Sequence, residues 1–423
     1  MTDNSSQKSA VCVTFGTKMQ NLILLILSLF LLSAETFALN SSTTSSATKV
    51  NDRAILEAYN NPETLRLLIT AGANVNIADW NGWTPLQRAA KEGHRECVKL
   101  LLAAPGIDIN LANFAGETPL YWAAKEGHTE CVKLLLATTG IDVNKADKDG
   151  HAPLHMAAYK DHPECVRLLL ATPEIDINLA DENGWSPLYW AAEEGHPECV
   201  KFLLAVQGID VNKTDIKGRT PLYMAAMLDH KECVKLLLIF PGIDVNKTDI
   251  NGRTALHGAA LRGLTDCVKI LLAAPGINVN IKDIDGRDPL FSAAWRGHTA
   301  CAELLFTAAR EDEQATEEEA KQLLQAMGFS DYDEAILEAY NNPVRLRLLI
   351  TAGANVNITN EYGGQTPLIL AAERGHTECV KILLTAPGID VNKANKFGET
   401  PLLNAIREEQ TECAELIRAA GGK

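Results

Sequence analysis

Nine cysteines divide most of this chain into equal lengths. Seven of them lie 34 residues apart, from Cys97 to Cys301, and Cys379 and Cys413 keep the same interval after a break. A period of this length indicates a stack of small repeats in place of one globular core. Each repeat in such a stack buries its apolar face against its neighbours, so the chain offers an extended surface and no deep pocket. We therefore expect a surface that holds a partner.

The composition fits a packed stack and argues against general binding to nucleic acids. Apolar residues make up 46% of the 423 positions, which is enough for a continuous packed seam. The formal net charge is −15, whereas general nucleic-acid binding relies on Lys and Arg to displace counterions. About half of the excess negative charge is local, because residues 310–334 contain nine acidic and two basic side chains.

The N-terminus has the features of an export signal. Residues 22–32 form an apolar run that follows Lys18, and small residues stand at the first and third places before a cut after residue 38. The run is short for a membrane span, which needs about 20 residues. We predict a signal peptide at residues 1–38, with Met19 as an alternative start, and a flexible Ser/Thr-rich lead-in at 39–50.

This signal predicts an exported protein, either periplasmic, secreted or in the cell envelope. A signal anchor that stays uncut and holds the chain in the membrane is the alternative. Export would expose the nine repeat cysteines to oxidation, but packed neighbouring helices lie about 8–10 Å apart. A disulfide needs Cα atoms within about 7 Å. We therefore interpret these cysteines as small buried hydrophobes and predict no disulfide framework.

The segment 114–147 illustrates one repeat. Thr118 and the proline after it suit the start of a helix, and Gly127 suits its end, because glycine accepts a left-handed backbone. A second helix is expected from about Thr129, with an apolar stripe around the cysteine. Residues 141–144 then alternate like a short strand and lead into a tight hairpin turn. Each repeat is thus predicted to be helix, turn, helix and hairpin.

These residues resemble the ankyrin repeat family. The shared string is Gly-x-Thr-Pro-Leu-x-x-Ala-Ala-x-x-Gly-His, followed by x-Glu-Cys-Val-Lys-Leu-Leu-Leu, and it covers about residues 54–420. The resemblance implies an all-α solenoid of helix-turn-helix repeats with β-hairpins. The chain departs from the family in its 34-residue period, against the usual 33. The family commonly has a histidine near the start of the first helix, and this chain keeps it only at His155 and His257. Asp161 and Asp229 replace the glycine of Gly-His.

A second internal match predicts two stacked arrays. Residues 54–76 and 335–357 are nearly identical, and both lack the Thr-Pro-Leu opening. The first copy sits where an N-terminal cap must shield a stack, so the second is expected to begin a new one. We predict array one at 51–309, with a cap and seven repeats, an acidic helical connector at 310–333, and array two at 334–423, with a divergent repeat and two further repeats.

No catalytic, cofactor-binding or metal-binding site is predicted. The recurring His-x-x-Cys pair supplies only half of the four ligands that structural zinc requires, and the next repeat is too distant to complete the set. Nucleophile elbows, phosphate loops and His-Glu-x-x-His motifs are absent from the sequence. We predict a protein that is not an enzyme. An unrecognised enzyme activity is the alternative from another class.

Sequons occur inside the repeats as well as near the N-terminus. Asn212 and Asn246 lie in the tightly packed approach to a hairpin, where sister repeats carry Asn-Lys-Ala. A glycan on either asparagine would disturb the stacking, which favours a bacterial exporter.

The resemblance implies that hairpin tips and first helices line a concave groove that binds a partner. Residues at these places vary between otherwise near-identical repeats, so the fold does not dictate them. Aromatic rings dominate in the first four full repeats and cations in repeats five to seven. The predicted groove residues are Trp80, Trp83, Phe114, Trp122, Trp185, Trp190, Lys217, Arg219, Arg253, Arg262, Arg287, Trp295 and Arg296.

We expect an exported protein that binds another protein through this groove, with an acidic part of the partner on repeats five to seven. Two alternatives are a secreted effector directed at host proteins and nucleic-acid binding by the basic repeats. A third is that the chain's own acidic segment, residues 311–319, occupies the groove. No small-molecule substrate is expected, and contact with a membrane is expected only through an uncut N-terminal segment.

Overall fold

The computed structural model describes residues 44–309 and 317–423. The predicted signal peptide and the segment 310–316 of the predicted connector lie outside the described residues. Contacts divide the chain into a first unit, residues 1–182, and a second unit, residues 183–423. Among the described residues, no helix combines the length and the apolar character that a membrane crossing requires.

The described residues form pairs of short helices. In the first unit the helices are α1 (Thr44–Glu57), α2 (Pro62–Thr70), α3 (Pro85–Lys91), α4 (Arg95–Leu102), α5 (Pro119–Lys125), α6 (Thr129–Leu136), α7 (Pro153–Tyr159) and α8 (Pro163–Leu170). In the second unit they are α9 (Pro187–Glu194), α10 (Pro197–Leu204), α11 (Pro221–Met227), α12 (Lys231–Leu238), α13 (Ala255–Leu261), α14 (Thr265–Leu272), α15 (Pro289–Trp295), α16 (Thr299–Ala309), α17 (Glu317–Ala326), α18 (Tyr332–Glu338), α19 (Pro343–Thr351), α20 (Pro367–Glu373), α21 (Thr377–Leu384), α22 (Pro401–Arg407) and α23 (Thr411–Ala419).

The predicted helix-turn-helix repeat is confirmed. In the repeat of α5 and α6, the Thr118 hydroxyl accepts a hydrogen bond from the backbone N–H of Tyr121 at 3.1 Å, which caps α5. Gly127 follows α5 with φ +74°, in the left-handed region that glycine adopts without strain. Leu120 of α5 and Leu135 of α6 are fully buried. Most repeats share this pattern of cap, glycine and leucine, although Ala152 has no capping side chain and Asp161 and Asp229 replace the glycine.

The turn between paired helices also joins neighbouring repeats. His128 Nε2 lies 2.8 Å from the backbone oxygen of Lys91 in the preceding repeat. A Cβ atom on Gly93 would lie 2.6 Å from His128 Nδ1, so glycine makes room for the ring as well as for the turn. Asp229, which replaces this glycine in a later repeat, holds the turn at φ +64°. The departure at Asp229 therefore leaves the helix pair intact.

The nine repeat cysteines are buried and carry free thiols, as predicted. They lie on the second helix of each pair, where packing excludes water. Burial raises the pKa of Cys131 and Cys379 to about 11. For Cys267, burial and a hydrogen bond to Asp229 together raise the pKa to about 12. Thiols of this kind are poor nucleophiles, because the thiolate is the reactive form.

We expect the native protein to resist thiol reagents. In a Cys12→Ser variant, less than one thiol per chain should react with Ellman's reagent within minutes at about pH 8, because the thiols stay protonated and shielded. All nine should react once guanidinium chloride has unfolded the chain. Rapid reaction of several thiols in the native protein would contradict the packing described here.

The predicted strand at residues 141–144 is a turn. Asn144 donates its backbone N–H to the Asp142 carboxylate at 3.1 Å, and this local side-chain acceptor takes the N–H that a strand partner would need. The hairpin is closed at its tip by the backbone N–H of Asp147, which donates to the His151 oxygen at 3.0 Å. No strand is assigned within the described ranges, so the fold is an all-α solenoid. In each predicted hairpin, turns take the place of the two strands.

Asparagines before the hairpins connect neighbouring repeats within each unit. Asn144 Nδ2 donates to the backbone oxygen of Glu174 at 2.7 Å, and Asn144 Oδ1 accepts from the backbone N–H of Asp176 at 2.9 Å. The sequon residues Asn212 and Asn246 make the equivalent donation, each at 2.8 Å. A glycan on either Nδ2 would replace a donor that this contact uses. The expectation that these two sequons stay unmodified remains a prediction.

Two helices lie in the predicted lead-in and in the predicted connector. α1 begins at Thr44, inside the lead-in expected to be flexible, because a helix anchored by the buried Ile55 extends at little cost per added residue. Within the second unit, α17 lies in the predicted connector and packs against α15 and α19. The Asn342 amide at the start of α19 donates to the Glu303 carboxylate on α16. The proposed boundaries of the two arrays remain a prediction.

Candidate protein-binding surface

Two tryptophans and two lysines of the first unit form what we call the aromatic–lysine cluster: Trp83, Lys91, Trp122 and Lys125. Trp83 precedes α3, Lys91 ends α3, and the other two lie on α5. The rings of Trp83 and Trp122 are 5.0 Å apart between centroids. Trp122 is 8% exposed and also packs against Met156 of α7. This position, predicted as a groove residue, is therefore mostly covered by its neighbours.

Both lysines of the aromatic–lysine cluster lie over the Trp122 ring. The Lys91 ammonium is 4.3 Å from the ring centroid and the Lys125 ammonium is 4.5 Å from it. Lys91 is also 4.9 Å from the centroid of Trp83. An ammonium over an indole face is attracted by the ring quadrupole. Neither lysine side chain forms an ion pair within the described part of the chain, so both charges face rings alone.

The indole nitrogen of Trp122 is buried and has no hydrogen-bond partner among the described residues. Buried polar groups are normally paired, and an unpaired one costs about 1–3 kcal/mol. Two ammonium groups without an ion pair therefore lie over the ring that carries this unpaired N–H donor. The side chains of the cluster offer donors and no acceptor.

The second unit has a similar group of rings. Trp185 stacks on Tyr189 at 5.2 Å and meets Trp190 edge-on at 4.5 Å. Both tryptophans are half-buried. The structure therefore places these two predicted groove residues in contact with each other, as it does Trp83 and Trp122 in the first unit.

A buried aspartate holds each of several hairpins together, and Asp215 illustrates the arrangement. Its Oδ1 accepts the backbone N–H groups of Lys217 and Arg219 at 2.9 and 2.8 Å. Its Oδ2 accepts the Tyr189 hydroxyl at 3.0 Å and Arg219 Nε at 2.8 Å. Burial alone would raise the pKa of Asp215, but the backbone and guanidinium hydrogen bonds of Arg219 outweigh it and lower the pKa. We call such a residue a hairpin anchor.

Three cations that were predicted to face a partner are paired with hairpin anchors. Arg219 binds Asp215, and both Arg253 and Arg287 reach Asp283, with Arg253 Nε at 3.4 Å and Arg287 Nε at 3.2 Å from Oδ2. Their charge is thus largely compensated inside the repeat. Whether they also contact a partner remains a prediction.

The residue four positions after a hairpin anchor depends on the anchor itself. Where the anchor is asparagine, the partner is glutamate: the Asn113 amide donates to Glu117 at 2.7 Å, and the Asn395 amide donates to Glu399 at 2.9 Å. Where the anchor is Asp215, the partner is arginine. Sequence reasoning treated such positions as free to vary. The signal that could have revealed the pairing is the joint change of the two residues from repeat to repeat.

The other predicted groove residues reach solvent. The side chains of Lys217, Arg262 and Arg296 are exposed and form no ion pair in the described ranges. Trp80 is 84% exposed, Phe114 67% and Trp295 66%. Trp295 also stacks on Phe291 at 6.0 Å.

Exposed apolar side chains follow the hairpin anchors at one equivalent position, which we call the hairpin-tip row: Trp80 and Phe114 in the first unit, and Ile216, Ile250 and Ile284 in the second. The three isoleucines are 65–71% exposed. Their backbones are fixed by the neighbouring hairpin, since Ile216 and Ile250 each donate an N–H to it at 3.0 Å. The main chain is thus held in register while the side chain points outward.

Asp147, Asp149 and His151 bring three metal-ligating side chains together at one hairpin. His151 Nδ1 lies 3.2 Å from Asp147, and its Nε2 lies 3.5 Å from the buried Asp181. The histidine thus takes the place that Arg219 has beside Asp215. This pairing accounts for the cluster as part of the hairpin.

Comparisons with known proteins agree with this architecture. The family model described as ankyrin repeats matches residues 47–113, 108–181, 173–249, 238–316 and 335–422. A 40-residue stretch, 10% of this chain, is 52% identical to protein phosphatase 1 regulatory subunit 12A of Mus musculus and of Rattus norvegicus. The match spans 4% of the length of these curated relatives.

Two solved structures are also similar. The ankyrin repeat domain of Bcl-3 shares 30% identity with a TM-score of 0.48, over 53% of this chain and 99% of that domain. The ankyrin repeat domain of human ASB11 shares 29% identity with a TM-score of 0.46, over 53% of this chain and 98% of that domain. Because the family model covers nearly all of the described residues, the chain belongs to the ankyrin repeat family.

Proposed function

We propose that the protein binds another protein through the hairpin tips and first helices of its repeats and performs no chemistry of its own. Ankyrin repeats are typical of protein–protein interaction. The observation that carries the proposal is the second-unit part of the hairpin-tip row, because Ile216, Ile250 and Ile284 stand exposed at the equivalent position of three consecutive repeats. A scattered exposed apolar residue needs no explanation, whereas a regular set favours an interaction site.

Exposed cations in the second unit support the same function. Lys217 is exposed directly after Ile216, and Arg262 and Arg296 are exposed at the ends of α13 and α15. Protein interfaces combine an apolar centre with polar side chains that stay accessible. An acidic segment in the partner would complement these exposed cations.

Removing the hairpin-tip row of the second unit is expected to abolish binding. The partner would first be captured from the native host with the full chain and identified by mass spectrometry. Changing Ile216, Ile250 and Ile284 together to Ser should weaken its binding at least about a hundredfold, since each buried isoleucine contributes about 2 kcal/mol. Calorimetry or surface plasmon resonance measures the change.

The matched control is Ile239→Ser. Ile239 is 77% exposed but follows α12, the second helix of its repeat, and not a hairpin anchor. It should leave the affinity unchanged, and thermal melts should show that both variants stay folded. Equal affinity of the triple variant and the unaltered protein would refute the role of the row.

We further propose that the protein acts outside the cytoplasm. The apolar run at residues 22–32 and the small residues before position 39 support this. Fractionation of the native host followed by N-terminal sequencing tests it. A mature chain that begins at Leu39 in the envelope or medium is the expected result, and an uncut chain confined to the cytoplasm contradicts it. A secreted effector would additionally appear inside the cells of a second organism, whose proteins are its targets.

A further inference from the structure

We propose that the aromatic–lysine cluster binds the carboxylate of an acidic segment in the protein partner. This inference rests on the proposed function and assigns one chemical specificity to one place in the first unit. The site consists of Trp83, Lys91, Trp122 and Lys125, with Tyr121 beside them. The Lys125 ammonium lies 5.3 Å from the centroid of the Tyr121 ring.

The first argument is the charge that the cluster leaves uncompensated. Two ammonium groups lie within 4.5 Å of the centroid of one ring. Like charges beside the same ring repel each other, and an anion near them relieves that repulsion. No carboxylate of the described residues pairs with either lysine, although the chain as a whole has a net charge of −15. The missing anion is therefore expected from a ligand.

The second argument is the indole N–H of Trp122. It is buried without an acceptor in the described part of the molecule, on a side chain that is only 8% exposed. A carboxylate has two oxygens, so it can accept from the indole after a small side-chain shift while it also pairs with an ammonium group. One ligand group would thus pair the buried indole N–H and one of the two ammonium groups at the same time.

The third argument is a natural comparison within the chain. Residues 119–127 read PLYWAAKEG, and residues 187–195 of the second unit read PLYWAAEEG. At the place of Lys125 the second copy has Glu193. The helix Pro187–Glu194 nevertheless forms there, and its Trp190 packs edge-on against Trp185 of the same repeat at 4.5 Å. A first helix with this Tyr-Trp sequence therefore does not require a lysine at this place, which leaves Lys125 available for recognition.

The surroundings favour an acidic peptide over other anions. Glu92 and Glu126 follow the two lysines directly, and both are exposed. Nucleic acids and anionic membranes present dense rows of negative charge, which these glutamates would repel. A single Asp or Glu side chain on a peptide can enter between them, with an apolar neighbour on the peptide lying against the partly exposed Trp83.

A displayed library of random 12-residue peptides, selected against the full-length protein, tests this inference. We expect the selected peptides to be enriched in Asp or Glu at one position. The strongest would be synthesised with a fluorescent label, and its dissociation constant measured by anisotropy. Changing Lys91 and Lys125 together to Met should raise the dissociation constant at least thirtyfold. Met preserves the apolar stem of lysine.

The matched control changes Lys99 and Lys133 to Met. These exposed lysines lie on α4 and α6, the second helices of the same repeats, and their loss should leave the dissociation constant unchanged. Replacing the acidic residue of the peptide by its amide should cost the same factor as the double Lys variant. The two changes together should cost no more than either alone, because they break one contact.

Two outcomes would overturn the inference. One is selection of peptides without acidic enrichment, or of none. The other is independent effects of the peptide amide and of the Lys91/Lys125 changes. In either case the proposed function is tested separately by the hairpin-tip variants. Those variants change the second unit, and their binding is measured with the protein partner captured from the source organism. Circular dichroism melts of the double Lys variant confirm that it is folded.

Discussion

Asp215→Ala is expected to lower the free energy of unfolding by about 3 kcal/mol, the range for removing one member of a buried ion pair. The substitution removes the acceptor of two backbone N–H groups, of the Tyr189 hydroxyl and of Arg219. The Arg219 side chain is only 19% exposed, so its charge would remain partly buried without a partner. Guanidinium chloride titration followed by circular dichroism measures the change.

The chain supplies its own rescue for this variant. Changing Asp215 to Asn together with Arg219 to Glu copies the pairing of Asn113 with Glu117. The double variant should recover more than half of the loss, whereas Asp215→Asn alone should recover less, because the Arg219 charge still lacks a partner. If the single Asn variant is as stable as the double one, the pairing described for the hairpin anchors is wrong.

His257→Leu is expected to lower the free energy of unfolding by about 3 kcal/mol, because it leaves two polar backbone groups unpaired at about 1–3 kcal/mol each. His257 is 1% exposed. Its Nδ1 accepts the backbone N–H of Thr254 at 3.1 Å, and its Nε2 donates to the Arg287 oxygen at 3.1 Å. The same titration measures this loss.

His257→Gln is the control for this prediction. Gln87 occupies the equivalent place in another repeat, where its Oε1 accepts the Thr84 N–H at 2.7 Å and its Nε2 donates to the Glu117 oxygen at 2.8 Å. The glutamine variant should therefore stay within about 1 kcal/mol of the unaltered protein, since both hydrogen bonds are kept. A loss as large as that of leucine would show that ring packing, and not hydrogen bonding, explains the effect.

The contributions of His257 and Asp215 to stability are expected to change at different pH. Burial lowers the pKa of His257, so the folded state holds it neutral. In the unfolded chain this histidine has a pKa of about 6.5, and above that pH its contribution to stability is complete. As the pH falls from there through the lower pKa of the folded state, the unfolded chain binds a proton first and the contribution is lost. Asp215 also has a lowered pKa, but its contribution starts to fall only below about pH 4. In the His257→Gln variant, the decrease in stability below about pH 6.5 should disappear, whereas the decrease below about pH 4 should remain.

Much of the fold follows from the sequence, because the repeat spacing and the helix signals are local. Thr118 and Gly127 predict the bounds of α5, and the cysteine interval predicts which residues are buried. The strand at 141–144 was wrong because side-chain acceptors in the turn compete with strand pairing, which a pattern of alternation does not reveal.

The candidate site was less predictable. The assignment of Arg219 and Arg287 to the groove did not include their ion pairs with the buried carboxylates of Asp215 and Asp283, and their contact with a partner remains a prediction. Tyr189 and Asp215 are 26 residues apart, so their contact depends on how repeats stack. Similarly, Trp122 was recognised as an aromatic residue of the groove, but its two lysine neighbours lie on different repeats. The sequence of one repeat alone therefore does not reveal that Lys91 and Lys125 both lie over the Trp122 ring.

The asparagine contacts between repeats bear on how such a chain changes length. Asn144 reaches the backbone of Glu174 and Asp176 in the following repeat, so both contacts depend on a fixed stretch of chain between them. Loss or gain of a few codons there would uncouple neighbouring repeats, whereas recombination that removes or duplicates a complete 34-codon segment keeps every such contact. Diversification by copying whole modules is therefore the evolutionary route that this architecture tolerates best.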